Sequence, residues 1–580
     1  MRVAYRGGFS APVSRDPSDD LGDAESPPPP PWPVEEGVDE TGYEEMEQYR
    51  GEPWFRDPYV QPSAVYEPDQ WYQPAPAAAA TLPRPGPRAG PKKGRKTYTR
   101  RGVLAGAVAG GAAVAAARLL ILDKPDVLAN VNSGIVDLSD HLGHLRNGVL
   151  DAPQSQVVTQ VVRSGSAGFP LISEPLKISQ LLRRTAFGGT SALYQQANQQ
   201  GFQKTVDQFL ATAPVQPPPF KGGETLQTAT NVNLNDLQDW WITHMITTPT
   251  PFQERLTLFM ASIFTSDYQK VGLNTPFLVW QNRTWRDMAL TDLRSILKRV
   301  SIDPAMLIYL DGNGSNGRGT PNQNYSRELM ELFSSGLVYT EQDVQQGAKA
   351  LSGWRVPAAT DSSQVGVFNP ARHFTGPVTY LGRTQPMDVD GVIDAILAHP
   401  ACAPFITGKF VNEFVTSTPD QAYVDRLAAD FRKSGYQMKT LLRDLLTSPE
   451  FAAQSNFRAL VKSPLDFMVG AARLTGADPT TVVPIIRSYA RLLGHQPFDP
   501  PDVGGWPTNA SWLSPISLMN RVNFATDFVN AIKGVAAPAQ VATRFLDGIL
   551  SPGTSQTLAQ AQTDPARWWS LLASPDAQLA

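Results

Sequence analysis

The chain has 580 residues, a single cysteine, a net charge of -4 and 42% hydrophobic residues. One cysteine excludes an internal disulfide, and near-neutral charge argues against nucleic acid, whose phosphates demand a concentrated basic surface. The length provides for one large core or two domains.

Residues 1–95 read as a disordered extension. Residues 26–33 are nearly all proline, 35–52 are acidic, and 59–87 mix Pro, Ala, Gln and aromatic side chains. Such a stretch buries too little apolar surface to offset the entropy of ordering, and its prolines favour extended polyproline II. It is either a solvated leader or a cytoplasmic interaction tail with Trp32, Trp54 and Trp71 as contact points.

Residues 96–122 carry an address. Arg100 and Arg101 stand directly before an uncharged, Ala/Gly-rich run over 102–117. Thr99-Arg100-Arg101-Gly102-Val103-Leu104 resembles a twin-arginine signal, which is read by machinery that moves folded proteins across a bacterial membrane. The run is weakly hydrophobic and long enough for a signal h-region, and Ala115-Ala116-Ala117 suits cleavage. The competing reading is a membrane anchor over 102–122, interrupted only by Arg118. Either way the basic cluster from Lys92 to Arg101 holds the N-terminus in the cytoplasm. The rest of the chain is expected outside the cytoplasm, secreted or in the cell envelope. The alternative is a single-pass membrane protein.

Residues 123–174 form a linker region with weak helical periodicity over 127–150. From 175 to 580 the pattern is helical. Ile178, Leu181, Leu182 and Phe187 mark an apolar stripe. The spacing predicts further helices over 252–264, 290–300, 304–310, 326–337, 341–354, 392–398, 406–415, 423–433, 438–446, 463–474 and 515–531. Strand-like alternation is scarce, with one hairpin expected between 365–368 and 378–381. The fold class is mostly α, a multi-helix globular domain with long loops and at most a small β-hairpin. Leu445-Leu446-Thr447-Ser448-Pro449-Glu450 returns as Leu571-Leu572-Ala573-Ser574-Pro575-Asp576, a helix end followed by Ser-Pro punctuation and a restart.

The densest polar stretch runs from Asp311 to Glu331. Its glycine-rich loop, 311–319, lacks the spacing of a calcium loop and the lysine of a phosphate loop, so an ordered surface loop is expected. Arg327, Glu328 and Glu331 follow on a helix, with the carboxylates three apart on one face. They serve either acid/base chemistry or an ion network between helices. Thr340 and Asp343 form a capping-box signature. Of six histidines, none makes a metal-binding helical pair in the folded part, and no metal or cofactor is expected. His373 sits in a Gly/Pro loop that could present a functional side chain or pack it. Cys402 lies among small residues, the setting of an inert thiol. Asp502, Trp506 and Trp512 lie in a Pro/Gly-rich segment whose aromatics could stack on a ligand or plug the core.

Several stretches together resemble a large bacterial family, domain of unknown function 1800. They include Leu182-Arg183-Arg184-Thr185-Ala186-Phe187-Gly188, Asn324-Tyr325-Ser326-Arg327-Glu328-Leu329-Met330-Glu331, Lys462-Ser463-Pro464 and Pro500-Pro501-Asp502-Val503-Gly504-Gly505-Trp506-Pro507. The resemblance implies export and no established activity. It also points to an exported, sulfatase-like protein as a neighbour or partner. Many members carry Trp-His-x-His-Phe where this chain has Met260-Ala261-Ser262-Ile263-Phe264. Many carry His-Asp-x-Gly-x-Lys where it has His373-Phe374-Thr375-Gly376-Pro377-Val378. Ala, Ile, Phe and Val neither ligate metals nor move protons. The expected function is therefore binding or scaffolding in the envelope, with no known substrate. One alternative is a hydrolase-like enzyme using Glu328, Glu331 and His373 on an envelope polymer. Another is a membrane-anchored adaptor.

Overall fold

Helix Pro251–Ile263 shows how the sequence sets the architecture. Eleven of its thirteen residues are buried, Gln253, Glu254 and Arg255 among them, so the helix runs through the interior. In the computed structural model Leu256, Phe259, Met260 and Ile263 belong to one hydrophobic core, while Leu258 belongs to a second. The helix is the seam between two lobes. The structure describes residues 162–163 and 170–580, apart from 231, 273–274, 362, 533 and 536–546. The N-terminal extension, Arg100 and Arg101, and most of the linker region lie outside the described residues.

The first lobe gathers helices Glu174–Thr185, Ser191–Gln200 and Phe202–Ala211, then most helices from Leu293–Ser301 to Met438–Leu446. The second is built on Leu234–Thr247, Pro464–Thr475, Pro479–Leu492, Pro515–Ala531 and Asp564–Leu572. Each fully buried Leu or Phe in these cores contributes roughly 1.5–3 kcal/mol. Among the described residues no single helix is long and apolar enough to cross a membrane.

The Leu-Leu-x-Ser-Pro echo is the same closing device used twice. Ser448 Oγ donates to the Leu445 carbonyl (2.8 Å) and accepts from the Phe451 amide (3.1 Å). Ser574 Oγ donates to the Leu571 carbonyl (2.7 Å) and accepts from the Ala577 amide (3.2 Å). Just after each turn one residue bridges the segment that enters a lobe's helix, Ala453 with Leu171 and Leu579 with Val461. Ile172 N donates to Ala452 O (2.9 Å), and Lys462 N to Gln578 O (2.8 Å). A buried arginine on the entering helix then covers the open carbonyls of another helix end. Arg184 Nη1 donates to Phe414 O (2.9 Å) and Val415 O (2.7 Å). Arg473 Nη1 donates to Met245 O (3.0 Å) and Ile246 O (2.8 Å). Burial lowers the pKa of both, Arg184 to about 9 and Arg473 to about 10.

The fold is mostly α, as expected, with a few two-residue to four-residue strands. The expected hairpin pairs differently. Val367–Phe368 lies antiparallel to Trp354–Arg355, and Pro377–Tyr380 folds back on Arg383–Pro386. Leu381 and Gly382 both take positive φ (45° and 77°). A two-residue turn of that kind joins neighbouring strands directly, and closing it costs less entropy than closing across residues 369–376.

Candidate functional site

The lobes meet at a cleft of about 630 Å³, open solvent included. Arg255, Leu258, Phe259 and Ser262 recur at helical spacing on the seam helix and form its floor. The last turn of Glu174–Thr185 supplies Arg183 and Arg184. Glu413 comes from Cys402–Phe414, and Lys462 and Asp466 come from the entry to Pro464–Thr475. His495, Trp506 and Trp512 complete the wall.

The floor is an ion network. Arg255 lies between Glu413 and Asp466, with Nε 2.7 Å from Asp466 Oδ1. Burial opposes its charge, but the two carboxylates outweigh that and raise its pKa. Arg183 pairs with Asp547, yet its Nε and Nη2, like Arg184 Nε, are buried without a hydrogen-bond acceptor among the described residues. Lys462 donates to the Ala577 carbonyl (2.9 Å). Burial first, then Arg183 and Arg458, lower its pKa to about 7. His495 is sandwiched between Trp506 (ring centroids 5.3 Å) and Trp512 (4.9 Å). Burial, with Arg255 and Arg521 nearby, drives its pKa down to about 3, so it is neutral at neutral pH.

Most residues singled out in the sequence lie elsewhere. Arg327 pairs with Glu341 (2.8 Å) over the Tyr339 ring, and Glu331 accepts from the Tyr339 hydroxyl. These contacts tie helix Asn324–Glu331 to the start of Glu341–Ala350. Glu328 is half-buried, and burial, then Glu331, raises its pKa. Burial foremost, then the charges of Asp267, Asp502 and Glu328, pushes the Tyr309 hydroxyl up to about 12. Asp502 itself is exposed and accepts from the Gly504 amide (2.8 Å). His373 Nδ1 faces the Ser352 carbonyl (3.1 Å), and its ring packs on Phe368. Trp506 and Trp512 are both buried and both line the cleft. Their ring contacts to His495 make them a plug as much as a surface.

The 311–319 loop is ordered. Gly314 N donates to Trp354 O (2.9 Å) and Gly317 N to Arg372 O (2.8 Å). The capping box at Thr340 and Asp343 forms in full. Cys402 is buried, and burial pushes its thiol up to about 12, far from a reactive thiolate. Among the described residues no group of three His, Cys, Asp or Glu side chains is placed to hold a metal ion.

Arg183, Arg184, Arg255, Lys462 and Asp466 were not singled out from the sequence. A signal existed for two of them. Arg183 and Arg184 are adjacent in an apolar stretch, Leu181 to Phe187, so neighbouring guanidiniums must enter the interior or its edge.

A family model described as "Protein of unknown function (DUF1800)" matches residues 180–579, and the chain belongs to that family. No curated protein and no solved structure matches it.

Proposed function

For a member of this family whose lobes meet at a basic cleft, we propose a binding protein of the cell envelope that takes an anionic ligand at the seam. The observation that carries this reading is the charge of the lining. Among the lining side chains Arg183, Arg184, Arg255 and Lys462 stand beside two carboxylates, Glu413 and Asp466, while Asp547 pairs with Arg183 from outside the lining. A lysine whose pKa is brought near neutrality by burial and positive neighbours gains its proton when an anion arrives. The ligand class is therefore a phosphate- or carboxylate-bearing envelope component. Thermal unfolding of the full chain at constant ionic strength tests it. Glycerol 3-phosphate or glucuronate should raise Tm in a saturable way, glycerol and glucose should not, and Lys462→Gln should abolish the shift. Equal behaviour of charged and neutral members would remove the proposal.

The same reading places the folded part outside the cytoplasm. Arg100, Arg101 and the weakly apolar run after them support it. The twin-arginine machinery would be the first partner, and an exported sulfatase-like neighbour a second. Changing Arg100 and Arg101 together to Lys should keep a full-length product in the cytoplasm of a native-type host. An unchanged, membrane-bound product on cell fractionation would favour the anchor and turn attention to the N-terminal tail.

A further inference from the structure

The wall of the cleft leads outward to an apolar patch. His495 and Trp512 touch in that wall, ring centroids 4.9 Å apart, and each stands within four residues of an exposed aliphatic side chain. Leu492 ends helix Pro479–Leu492 just before His495, and Ile516 lies in the first turn of Pro515–Ala531 just after Trp512. Met519 shares the helix face of Ile516. The two helix ends are joined. Asn520 Nδ2 donates to the Leu492 carbonyl (3.4 Å), and Ser517 Oγ donates to the Trp512 carbonyl (2.6 Å). Leu492 is 59% exposed, Ile516 68% and Met519 42%, three of the seven large hydrophobic side chains exposed among the described residues. Single exposed aliphatics are ordinary, whereas a cluster marks an interaction surface.

The charge around the patch selects its occupant. No Asp or Glu occurs between Asp478 and Asp499, or between Asp502 and Asp527, so the segments that build the patch carry no carboxylate of their own. Arg491 is exposed beside Leu492. The adjoining cleft is lined by Arg183, Arg184, Arg255 and Lys462. An apolar patch without carboxylates, next to a basic cleft, matches the surface of a bilayer, where acyl chains lie behind anionic headgroups. We propose that the patch seats the folded part on a membrane, and that the anion taken by the cleft is the headgroup of an anionic phospholipid in it. This rests on the cleft reading above and narrows its ligand class to a membrane-borne phosphate.

The full chain with Met519→Cys, labelled with an environment-sensitive dye, tests this. Cys402 is buried, which leaves position 519 as the thiol that labels. Phosphatidylglycerol vesicles should blue-shift the dye, and phosphatidylcholine vesicles should not. A dye at Gln195→Cys, exposed on the first lobe, should stay unshifted and controls for attachment through the apolar run over 102–122. Adding Ile516→Ser should raise the lipid needed for half the shift about tenfold. Lys462→Gln should remove the preference for phosphatidylglycerol. If glycerol 3-phosphate raises Tm while no vesicle shifts the dye at 519, or both lipids shift it equally, this inference falls and the cleft reading stands. Absence of the Tm response removes both. A dye shift that grows with protein concentration in the absence of lipid would assign the patch to a second copy of this chain and also overturn the proposal.

Discussion

Replacing Arg286 with Met is expected to cost roughly 3–5 kcal/mol, the usual result of stripping one partner from a buried ion pair. Arg286 and Glu254 are each about 1% exposed. Arg286 Nε lies 2.6 Å from Glu254 Oε2 and Nη2 lies 2.8 Å from Oε1, a bidentate pair. Trp241 Nε1 and His244 Nε2 complete the carboxylate's shell at 2.5 and 3.2 Å. Burial pushes the Glu254 carboxyl up, but Arg286 and the surrounding donors outweigh it and hold the pKa at about 2, below an ordinary 4.5. A depressed carboxyl stabilises the fold above its unfolded pKa, and that contribution is lost as pH falls from about 4.5 towards 2. The loss in Arg286→Met should therefore be largest at neutral pH and narrow towards pH 3, as the stranded Glu254 protonates. Glu254→Gln combined with Arg286→Met should cost less than the sum of the single changes. Denaturant titrations at both pH values measure this. A cost under about 1 kcal/mol, or strict additivity, would mean the pair is not the interior anchor described here.

That pair also shows where sequence reasoning stopped. Helices with strong stripes or clear punctuation were legible. Pro251–Ile263, Gln421–Lys433, Met438–Leu446 and Pro515–Ala531 fall within a residue or two of expectation. Ser191–Gln200, Leu234–Thr247, Phe277–Met288 and Pro479–Leu492 were not read out. The first is largely polar and only Ala197 is buried, so no apolar stripe announces it. Phe277–Met288 is buried on several sides, with Gln281, Asn282 and Arg286 inside, which breaks the polar-out pattern that periodicity relies on. Buried polar residues also explain the missed cleft. Arg183, Arg255 and Lys462 look like surface charges in one dimension. Only the meeting of elements separated by nearly three hundred residues makes them a site. The Asp502–Trp512 segment was legible as a functional candidate, because its aromatics and glycines are unusual in themselves. Its place against the seam helix was not.

Gly505→Ala should disable the proposed cleft site. Gly505 has φ +87°, and a Cβ there would stand 2.3 Å from the Ser262 carbonyl oxygen. That oxygen is backbone on the seam helix and cannot swing aside as a side chain could. Thr265 Oγ1 fixes the same loop by donating to the Val503 carbonyl (2.8 Å). The loop thus sits directly on Ser262 to Thr265, and Trp506 follows one residue later. An alanine at 505 must lift the loop, and Trp506 leaves its packing on His495 in the cleft wall. The expected stability loss is roughly 2–4 kcal/mol, the range for a clash combined with a left-handed backbone. The anionic-ligand shift should disappear with it. Gly504→Ala is the matched control. Its φ is not in the left-handed region, and its nearest neighbour would be the Asp502 Oδ1 side-chain atom at 3.0 Å, an exposed carboxylate that can shift by adjusting its hydrogen bond to the Gly504 amide. Its cost should stay below about 1 kcal/mol with ligand responses intact. If the two alanines behave alike, contact between this loop and the seam helix is not what holds Trp506 in place.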